Sequence, residues 1–440
     1  PVFLADIKGD LSGLAKAGQW TPKLEERYKL LGITDPFEPQ AFPVRLWDVF
    51  GQSGHPVRAT VEGMGSLLLS RLLDLNETQS GILAIVFKVA QEKDWPLIDL
   101  KDLQSLLKEV YEHSSDYSAQ YGNITKQSVG AIQRSLLVLE EEGADQFFGE
   151  PALDLNDFMQ LDASGRGYIN ILSATKLFHS PKLYSTFLIW MLSRLFETLP
   201  EVGDPEKPKL VFFFDEAHLL FKDASKLFLE KVEQVVRLIR SKGVGIYFIT
   251  QNPQDLPESV LAQLGNRVQH ALRAYTPKEM KAIKVAAQSF RPNPDFDTET
   301  VITELGTGEA LVSFLNEKGQ PSVVERAYIL SPQSSFDLLN ESEQLALITT
   351  SPFHQKYATT IDRESAYEKL AAKASKEVQE KEQKEAEKEE AAADKAAQKR
   401  SPGRPRKSSL EKAKDSFLSS LFRTIAREIA KLIMGSFKRK

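Results

Sequence analysis

The 440-residue sequence contains no cysteine. This absence excludes thiol catalysis, disulfide bonds, and zinc or iron–sulfur sites that depend on cysteine ligands. It suits a reducing compartment, and we expect the protein to be cytoplasmic. The six histidines are not spaced as metal ligands, so the sequence predicts no histidine-based metal site.

A long hydrophobic run is also absent. No apolar stretch approaches the roughly 18 residues of a membrane-spanning helix, so we expect no stable membrane insertion. The first residues show no signal-peptide pattern. The sequence begins at Pro1 and its opening residues already have the pattern of an interior strand, which leads us to expect further sequence upstream.

An excess of positive charge is missing as well. The formal net charge is −5, so any affinity for nucleic acid must come from local basic patches and not from the whole surface. Hydrophobic residues make up 42% of the chain, which is typical of a globular protein. The length suffices for two or three domains.

One short apolar stretch ends in two acids. Residues 210–214 are Leu-Val-Phe-Phe-Phe, and Asp215 and Glu216 follow them. The lack of alternation predicts a strand buried on both faces that delivers carboxylates at its C-terminal edge. This is the form of a Walker B segment, in which the first acid holds Mg²⁺ and the second polarises the attacking water. An ordinary core strand with an acidic end fits the same residues.

A second buried strand is predicted over residues 245–250, and it ends at Gln251. An amphipathic helix over 224–241 separates it from the first strand, and this order predicts a right-handed βαβ unit with a parallel sheet. Gln251 would then lie beside the two acids, where it could contact a γ-phosphate or a water molecule. A simple turn after a strand is the alternative.

The N-terminal residues predict a third strand. Asp6 ends it and Asp10 follows in the next turn, at the kind of sheet edge where parallel sheets bind ligands. We expect Asp10 or Ser12 to cap a helix that begins near residue 11. Further on, residues 44–50 and 57–61 predict an antiparallel hairpin, and residues 65–143 predict helices only.

Four segments follow one another in a definite order. They are Asp6-Ile-Lys-Gly-Asp10, Phe214-Asp-Glu-Ala-His218, Arg240-Ser-Lys-Gly-Val-Gly245 and Thr250-Gln-Asn-Pro253. In this order they resemble the core motifs of the HerA/FtsK class of RecA-like ring ATPases. The longer segments 256–274 and 147–154 resemble one branch of that class, the bacterial HerA-like helicases of YjgR type.

The resemblance implies an α/β fold, a RecA-like P-loop NTPase core with a mainly parallel sheet. It implies ATP and Mg²⁺ as cofactors, a homo-oligomeric, hexameric ring, DNA as the partner that is moved, and a nuclease as an accessory protein. Carried over by position, Asp215 would be the Mg²⁺ residue, Glu216 the water residue and Gln251 the sensor. Arg240 would reach a neighbour's ATP, or it would only complement a helix end. The residues expected near the nucleotide are Asp6, Lys8, Gly9 and Asp10.

One motif of this class is missing. The phosphates are normally held by a Gly-x-x-x-x-Gly-Lys-Ser/Thr loop, and no such loop occurs here. Residues 9–13 contain glycine but lack the lysine and the spacing. In the family this loop precedes the strand that here begins at Pro1, so we expect a truncated N-terminus. The chain as given is predicted to bind ATP poorly and to be inactive, whereas the intact protein is predicted to be an ATPase.

The predicted domain organisation has five parts. An incomplete N-terminal part of the ATPase core is followed by an inserted helical subdomain, the core with the Walker B and sensor strands, a charged arm with a basic linker, and an amphipathic helix. Their ranges are 1–64, 65–150, 151–335, 336–409 and 410–440.

The C-terminal part contains a second candidate for DNA contact. Arg404, Arg406 and Lys407 follow Pro402 and Gly403 in a segment similar to an AT-hook core, which would lie in the minor groove. A solvated basic linker is equally compatible with these residues. The apolar stripe of the final helix fits assembly better than weak attachment to an anionic membrane.

Two other functions fit parts of the sequence. Asp215-Glu-Ala-His218 has the letters of a DEAH helicase box, but a second helicase domain is not recognisable. A non-catalytic assembly or DNA-tethering protein on a RecA-like scaffold is the main alternative, since it would need no phosphate loop. Residues 162–169 resemble a calcium loop, but Arg166 occupies a ligand position, so a surface turn is predicted there.

Overall fold

Six parallel strands form the main sheet in a computed structural model, which describes residues 1–203, 205–221 and 226–398. The strand order is β3-β2-β4-β1-β5-β6. The predicted α/β class with a mainly parallel sheet is confirmed. The strands are β1 (Val2–Asp6), β2 (Val44–Asp48), β3 (His55–Pro56), β4 (Ile169–Ser173), β5 (Leu210–Phe214) and β6 (Val244–Phe248).

The hairpin predicted after residue 44 is wrong, because β2 and β3 pair in parallel. Two residues explain the difference. The carboxylate of Asp48 accepts hydrogen bonds from the backbone N–H groups of residues 50, 52 and 53 and so folds the loop back on itself. A Cβ atom at Gly54 would lie 2.5 Å from the carbonyl carbon of Trp47, so only glycine lets the chain cross β2 there.

The central strand β5 is more exposed on one face than predicted. Leu210, Phe212 and Phe214 are buried, whereas Val211 and Phe213 are half-buried. The ring of Phe213 stacks on Tyr247 of β6, with 4.6 Å between ring centroids. The strand therefore has one fully covered face and one face that is covered only in part.

The predicted run of helices between β3 and β4 is confirmed. Several of these helices start at side-chain caps that the sequence shows, such as the capping boxes of Asn76 with Gln79 and of Asp99 with Asp102. Their apolar faces join the sheet in one buried cluster. The helices are α2 (Val61–Leu72), α3 (Glu77–Lys93), α4 (Leu100–Glu112), α5 (Ser114–Tyr121), α6 (Lys126–Glu141) and α7 (Ala144–Phe147), after α1 (Pro22–Leu31).

The long apolar helix α8 (Pro181–Thr198) lies between this bundle and the sheet. It packs against α2, and the indole N–H of Trp190 donates to the backbone oxygen of Gly63 at 2.8 Å. The predicted crossover between β5 and β6 contains α9 (His218–Phe221) and α10 (Lys226–Leu238). Because β5 and β6 pair in parallel, the predicted βαβ unit is confirmed.

A smaller antiparallel sheet follows β6. Its order is β7-β8-β9, and its own apolar cluster includes Ile283, Phe290 and Ile302. Within the described residues the chain forms no second parallel sheet. The elements are α11 (Glu258–Leu261), β7 (Arg267–Gln269), α12 (Pro277–Gln288), α13 (Thr298–Glu304), β8 (Glu309–Ser313) and β9 (Glu325–Tyr328).

The chain divides into one compact unit, Pro1–Ala372, and a second unit, Lys373–Lys440. The elements after β9 are α14 (Glu341–Thr350), α15 (Phe353–Tyr357) and α16 (Ala366–Gln398). The predicted charged arm includes a packed segment, because Leu339, Phe353 and Tyr357 are buried within the first unit. Arg404, Arg406, Lys407 and the helix predicted over 410–440 lie outside the described residues. Among the helices that are described, none is both long enough and apolar enough to cross a bilayer.

The hydroxyl of Tyr357 joins α15 to the core. It donates to Asp157 Oδ2 at 2.5 Å and accepts from the backbone N–H of Asp154 at 3.1 Å. We expect Tyr357→Phe to lower the free energy of unfolding by about 1–3 kcal/mol, because it leaves buried polar groups without this partner. The matched change Tyr275→Phe, at a side chain that is 88% exposed, should alter it by less than about 0.5 kcal/mol.

Chemical denaturation of both variants measures this difference. Equal stabilities of Tyr357→Phe and the unchanged protein would show that the hydroxyl does not hold α15 in place.

Candidate functional site

Three neighbouring strands end at one edge of the main sheet. β5 pairs with β1 on one side and with β6 on the other, both in parallel. The register places Leu4 beside Phe213, and Phe214 beside Phe248. The residues that follow these strands therefore lie next to one another, as the sequence predicts for Asp6, Asp215 and Gln251.

The turn after β5 has an unusual backbone at Glu216. Its φ is +46°, in the left-handed region that residues other than glycine and asparagine seldom adopt. The turn is fixed from both sides, since Ile249 N–H donates to Phe214 O and Ala217 N–H donates to Ile249 O, each at 2.9 Å. This conformation buries the Glu216 side chain to 7% exposure at the edge of the sheet. Strain of this kind is often found at functional sites.

The predicted water residue and the predicted sensor are in direct contact. Gln251 Nε2 donates to Glu216 Oε1 at 3.0 Å. The other oxygen, Oε2, is buried and has no hydrogen-bond partner among the described residues. His218 Nδ1 lies 3.4 Å from it, so this histidine is a neighbour of the site. The sequence indicated only that His218 is packed or supports the site.

Asp215 lies in a strongly charged environment. Its carboxylate accepts from the backbone N–H of Glu216 at 2.9 Å. Burial raises the pKa of Asp215, the negative charges of Glu216 and Asp10 raise it further, and the positive charge of Lys8 opposes them. Lys8 and Asp10 therefore act on Asp215 electrostatically, as expected of residues around one site. Both side chains are exposed.

Asp6 organises the loop that carries those residues. Its carboxylate accepts hydrogen bonds from the backbone N–H groups of Gly9, Asp10 and Leu11 at 2.7–3.1 Å. Burial is the main cause that raises its pKa. The predicted cap at residue 10 or 12 is wrong, because the short 3₁₀ helix Ser12–Ala15 has no side-chain cap and Asp6 binds the preceding N–H groups instead. Direct contact of Asp6 with a nucleotide stays a prediction.

Tyr184 is a site residue that sequence reasoning missed. Its hydroxyl donates to the backbone oxygen of Asp215 at 3.1 Å. Burial raises the pKa of Tyr184, and so do the charges of Asp215 and Glu216, so the hydroxyl stays a neutral donor. A single tyrosine within the apolar run of α8 was the only signal, and it did not indicate which strand the hydroxyl would reach.

Arg240 lies at the opposite edge of the sheet. It belongs to the 3₁₀ helix Ile239–Lys242, which precedes the amino end of β6. Gly243 O accepts from Lys209 N–H, which also places this segment at the beginning of β5. The length of β6, roughly 16 Å, therefore separates Arg240 from the edge that carries Gln251. The fold does not bring Arg240 to the site of its own chain.

The acidic edge can accommodate Mg²⁺ only together with other ligands. The described residues contain no group of three or more histidine, aspartate or glutamate side chains suited to a metal. Mg²⁺ commonly uses one or two protein carboxylates and completes its octahedron with water and phosphate oxygens. The half-buried carboxylate of Asp215, followed by the buried carboxylate of Glu216, fits such a site.

The raised pKa of Asp215 predicts a stability effect. In the ligand-free protein at neutral pH the ionised carboxylate costs free energy, and Asn retains an acceptor for the Glu216 N–H without the charge. We expect Asp215→Asn to unfold at higher denaturant concentration than the unchanged protein at pH 7. The gain should shrink as the pH falls through the raised pKa of Asp215, because the carboxyl group then loses its charge. The control is Asp35→Asn, a change of the same kind at an exposed position. A lower stability of Asp215→Asn than of the unchanged protein at pH 7 would contradict the raised pKa of Asp215.

Residues 1–440 match the protein family described as "Helicase HerA-like C-terminal". Among curated relatives, the DNA double-strand break repair helicase HerA of Saccharolobus solfataricus is 25% identical over 211 residues, which are 47% of this chain and 40% of the relative. The corresponding helicase of Sulfolobus acidocaldarius is 30% identical over 99 residues, 22% of this chain and 19% of the relative. The alignments thus span less than half of either relative.

A solved structure similar to this chain is the plasmid coupling protein TrwB in complex with ADP and Mg²⁺. Its sequence identity is 11% and the TM-score is 0.46, with 78% of this chain and 87% of that chain covered. The match to the family extends over the whole sequence. The chain belongs to the helicase HerA-like C-terminal family.

Proposed function

We propose that the chain carries the metal- and water-handling residues of a HerA-like ATPase that couples ATP hydrolysis to DNA translocation or remodelling. The observation that carries the proposal is the hydrogen bond between Gln251 and Glu216, formed beside Asp215 at the carboxyl edge of parallel strands. Ligands of open parallel sheets bind at this edge.

Each residue has a separate task in this proposal. Asp215 holds Mg²⁺, and Mg²⁺–ATP when bound supplies a γ-phosphoryl group that is open to attack. Glu216 orients and polarises a water molecule through Oε2, the oxygen that no described side chain or N–H group satisfies. Gln251 fixes the other oxygen and so sets the direction of the carboxylate. Asp6 shapes the loop that presents Lys8, Gly9 and Asp10.

The phosphate-binding loop that the proposal needs is not among these residues. The 440 residues contain no Gly-x-x-x-x-Gly-Lys-Ser/Thr sequence, so we expect them to bind and hydrolyse ATP poorly alone. We propose that sequence outside them supplies the loop. The same absence also permits the alternative of a non-catalytic assembly or DNA-tethering protein, which would neither bind nor hydrolyse ATP even with that additional sequence present.

A ring of identical subunits is part of the proposal. We propose that Arg240 acts on the nucleotide of a neighbouring subunit, because it is exposed and lies at the edge opposite the site of its own chain. An arginine there would stabilise charge that develops on the transferred phosphoryl group. DNA is proposed as the partner from the relatives, whose names describe DNA repair helicases. The cytoplasm is proposed as the compartment from the cysteine-free composition.

Glu216→Gln tests the water residue in the protein as the cell produces it. We expect ATP hydrolysis to fall by at least about 100-fold, because the amide cannot accept a proton, while ATP binding is retained. The exposed change Glu317→Gln serves as the control and should leave both properties unchanged. Steady-state hydrolysis and equilibrium binding of a labelled ATP analogue measure the two effects. Hydrolysis at the normal rate would disprove the assignment of Glu216.

Arg240→Ala tests the contact between subunits. We expect this variant alone to bind ATP without hydrolysing it, since each site loses the arginine of its neighbour. Rings mixed from Arg240→Ala and Glu216→Gln subunits should recover part of the activity, because some sites then combine an intact Glu216 with an intact Arg240. Hydrolysis is measured across mixing ratios. Mixed rings as inactive as either variant would argue against a role across the interface.

A further inference from the structure

Residues 266–291 form a basic segment within this acidic chain. Residues 266–291 contain six basic residues and a single acid, although the whole chain has a net charge of −5. The segment comprises β7 and α12, outside the edge that carries Asp215 and Glu216. The basic residues are Arg267, Arg273, Lys278, Lys281, Lys284 and Arg291.

Helix α12 presents three of these charges to solvent. Its inner face buries Ala282, Ile283 and Ala286 against the small antiparallel sheet and α13. The exposed lysines are Lys278, Lys281 and Lys284. A spacing of three residues keeps successive side chains close together on the outward side of a helix. In the part of the chain that the structure describes, none of the three lysines forms an ion pair with a carboxylate.

The single acid of the segment does not neutralise this row. Glu279 is the third residue of α12, and its Oε2 accepts from the backbone N–H groups of Tyr275 and Thr276, each at 2.8 Å. These hydrogen bonds belong to a capping box that fixes the start of the helix. The carboxylate is therefore committed to the backbone, and the lysine row remains a positive surface.

An aromatic side chain lies directly beside the lysine row. Tyr275 is 88% exposed and precedes α12, and its backbone is held by the Glu279 carboxylate. Met280, on the same helix, is 63% exposed. Lysines next to an exposed aromatic ring are typical of surfaces that follow a nucleic-acid backbone and stack on bases or sugars. Such a ring has no comparable role in binding a small anion.

Helix α12 also contacts the segment that follows the sensor. It packs against the 3₁₀ helix Pro253–Asp255, which begins two residues after Gln251. A ligand on the outward face of α12 would therefore be separated from the sensor strand by one helix and one short turn. This continuity favours a nucleic acid over an acidic protein, because it links the ligand to the proposed motor.

We infer that the outward face of α12, with Lys278, Lys281, Lys284 and Tyr275, binds the sugar–phosphate backbone of a nucleic acid. The inference rests on the proposed DNA-handling role and not on the ATPase chemistry. Each lysine neutralises a phosphate and releases counterions, so binding weakens steeply with salt. Tyr275 stacks on a base where the strand is open.

The test compares two triple variants of the protein as the cell produces it. One is Lys278→Ala, Lys281→Ala, Lys284→Ala. The matched control is Lys88→Ala, Lys93→Ala, Lys108→Ala, which removes the same charge from exposed positions of α3 and α4. Binding to labelled duplex DNA and to a labelled single strand is measured over a salt series without nucleotide. Thermal unfolding checks that both variants are folded.

We expect the α12 variant to lose at least about tenfold in affinity near 0.1 M salt. A plot of the logarithm of the duplex-binding constant against the logarithm of the salt concentration should become less steep by roughly 2–3, since each phosphate contact contributes about 0.9 to the steepness. The control should keep the original slope. Tyr275→Ala should weaken single-strand binding more than Tyr275→Phe does. If Tyr275→Ala binds both DNA ligands as tightly as the unchanged protein, the tyrosine takes no part in nucleic-acid binding.

Other results would overturn the inference. They are equal losses in both triple variants, no loss in the α12 variant, or no DNA binding by the unchanged protein. Binding of polyglutamate or phosphatidylserine vesicles through the same lysines, with duplex binding unaffected, would assign the surface to another partner. Because these assays contain no nucleotide, failure of the ATPase proposal through Glu216→Gln gives a separate result.

Discussion

The parallel pairing of β5 with both β1 and β6 is the constraint on which the candidate site depends. It aligns three strand ends, so that carboxylates and an amide from distant parts of the sequence meet at one edge. The hydrogen bonds of Ile249 with Phe214 and Ala217 continue that pairing past the end of the strand. They hold Glu216 in the left-handed region, which directs its carboxylate towards Gln251. Loss of this pairing would separate the acids from the sensor.

A second set of contacts attaches the helices between β3 and β4 to the part of the chain that contains the sheet. Within the first unit, Tyr357 binds Asp157 close to β4, and the backbone N–H of Tyr367 donates to the buried carboxylate of Asp102 in α4. Ser365 also donates to Asp102. The segment from α15 to the start of α16 therefore connects core and bundle through buried polar groups. Such groups are costly to leave unpaired, which makes the connection specific.

The sequence predicts the apolar strands and helices well, because each has its own periodicity or composition. It also predicts that Asp6, Asp215 and Gln251 approach one another, since parallel strands end together. The hairpin after residue 44 failed because the crossing at Gly54 depends on a close approach to Trp47 that no local pattern shows. The hydrogen bond of Tyr184 with Asp215 arises from tertiary packing, so no local pattern of the sequence indicated it.

We propose that the carboxyl ends of β1, β5 and β6 form half of a Mg²⁺–ATP site. The most direct measurement is a structure of the protein as the cell produces it, with Mg²⁺ and a non-hydrolysable ATP analogue bound. We expect the metal beside the carboxylate of Asp215, directly or through one water, with the γ-phosphate facing Glu216 and Gln251. A nucleotide whose phosphates and metal bind away from this edge would contradict it.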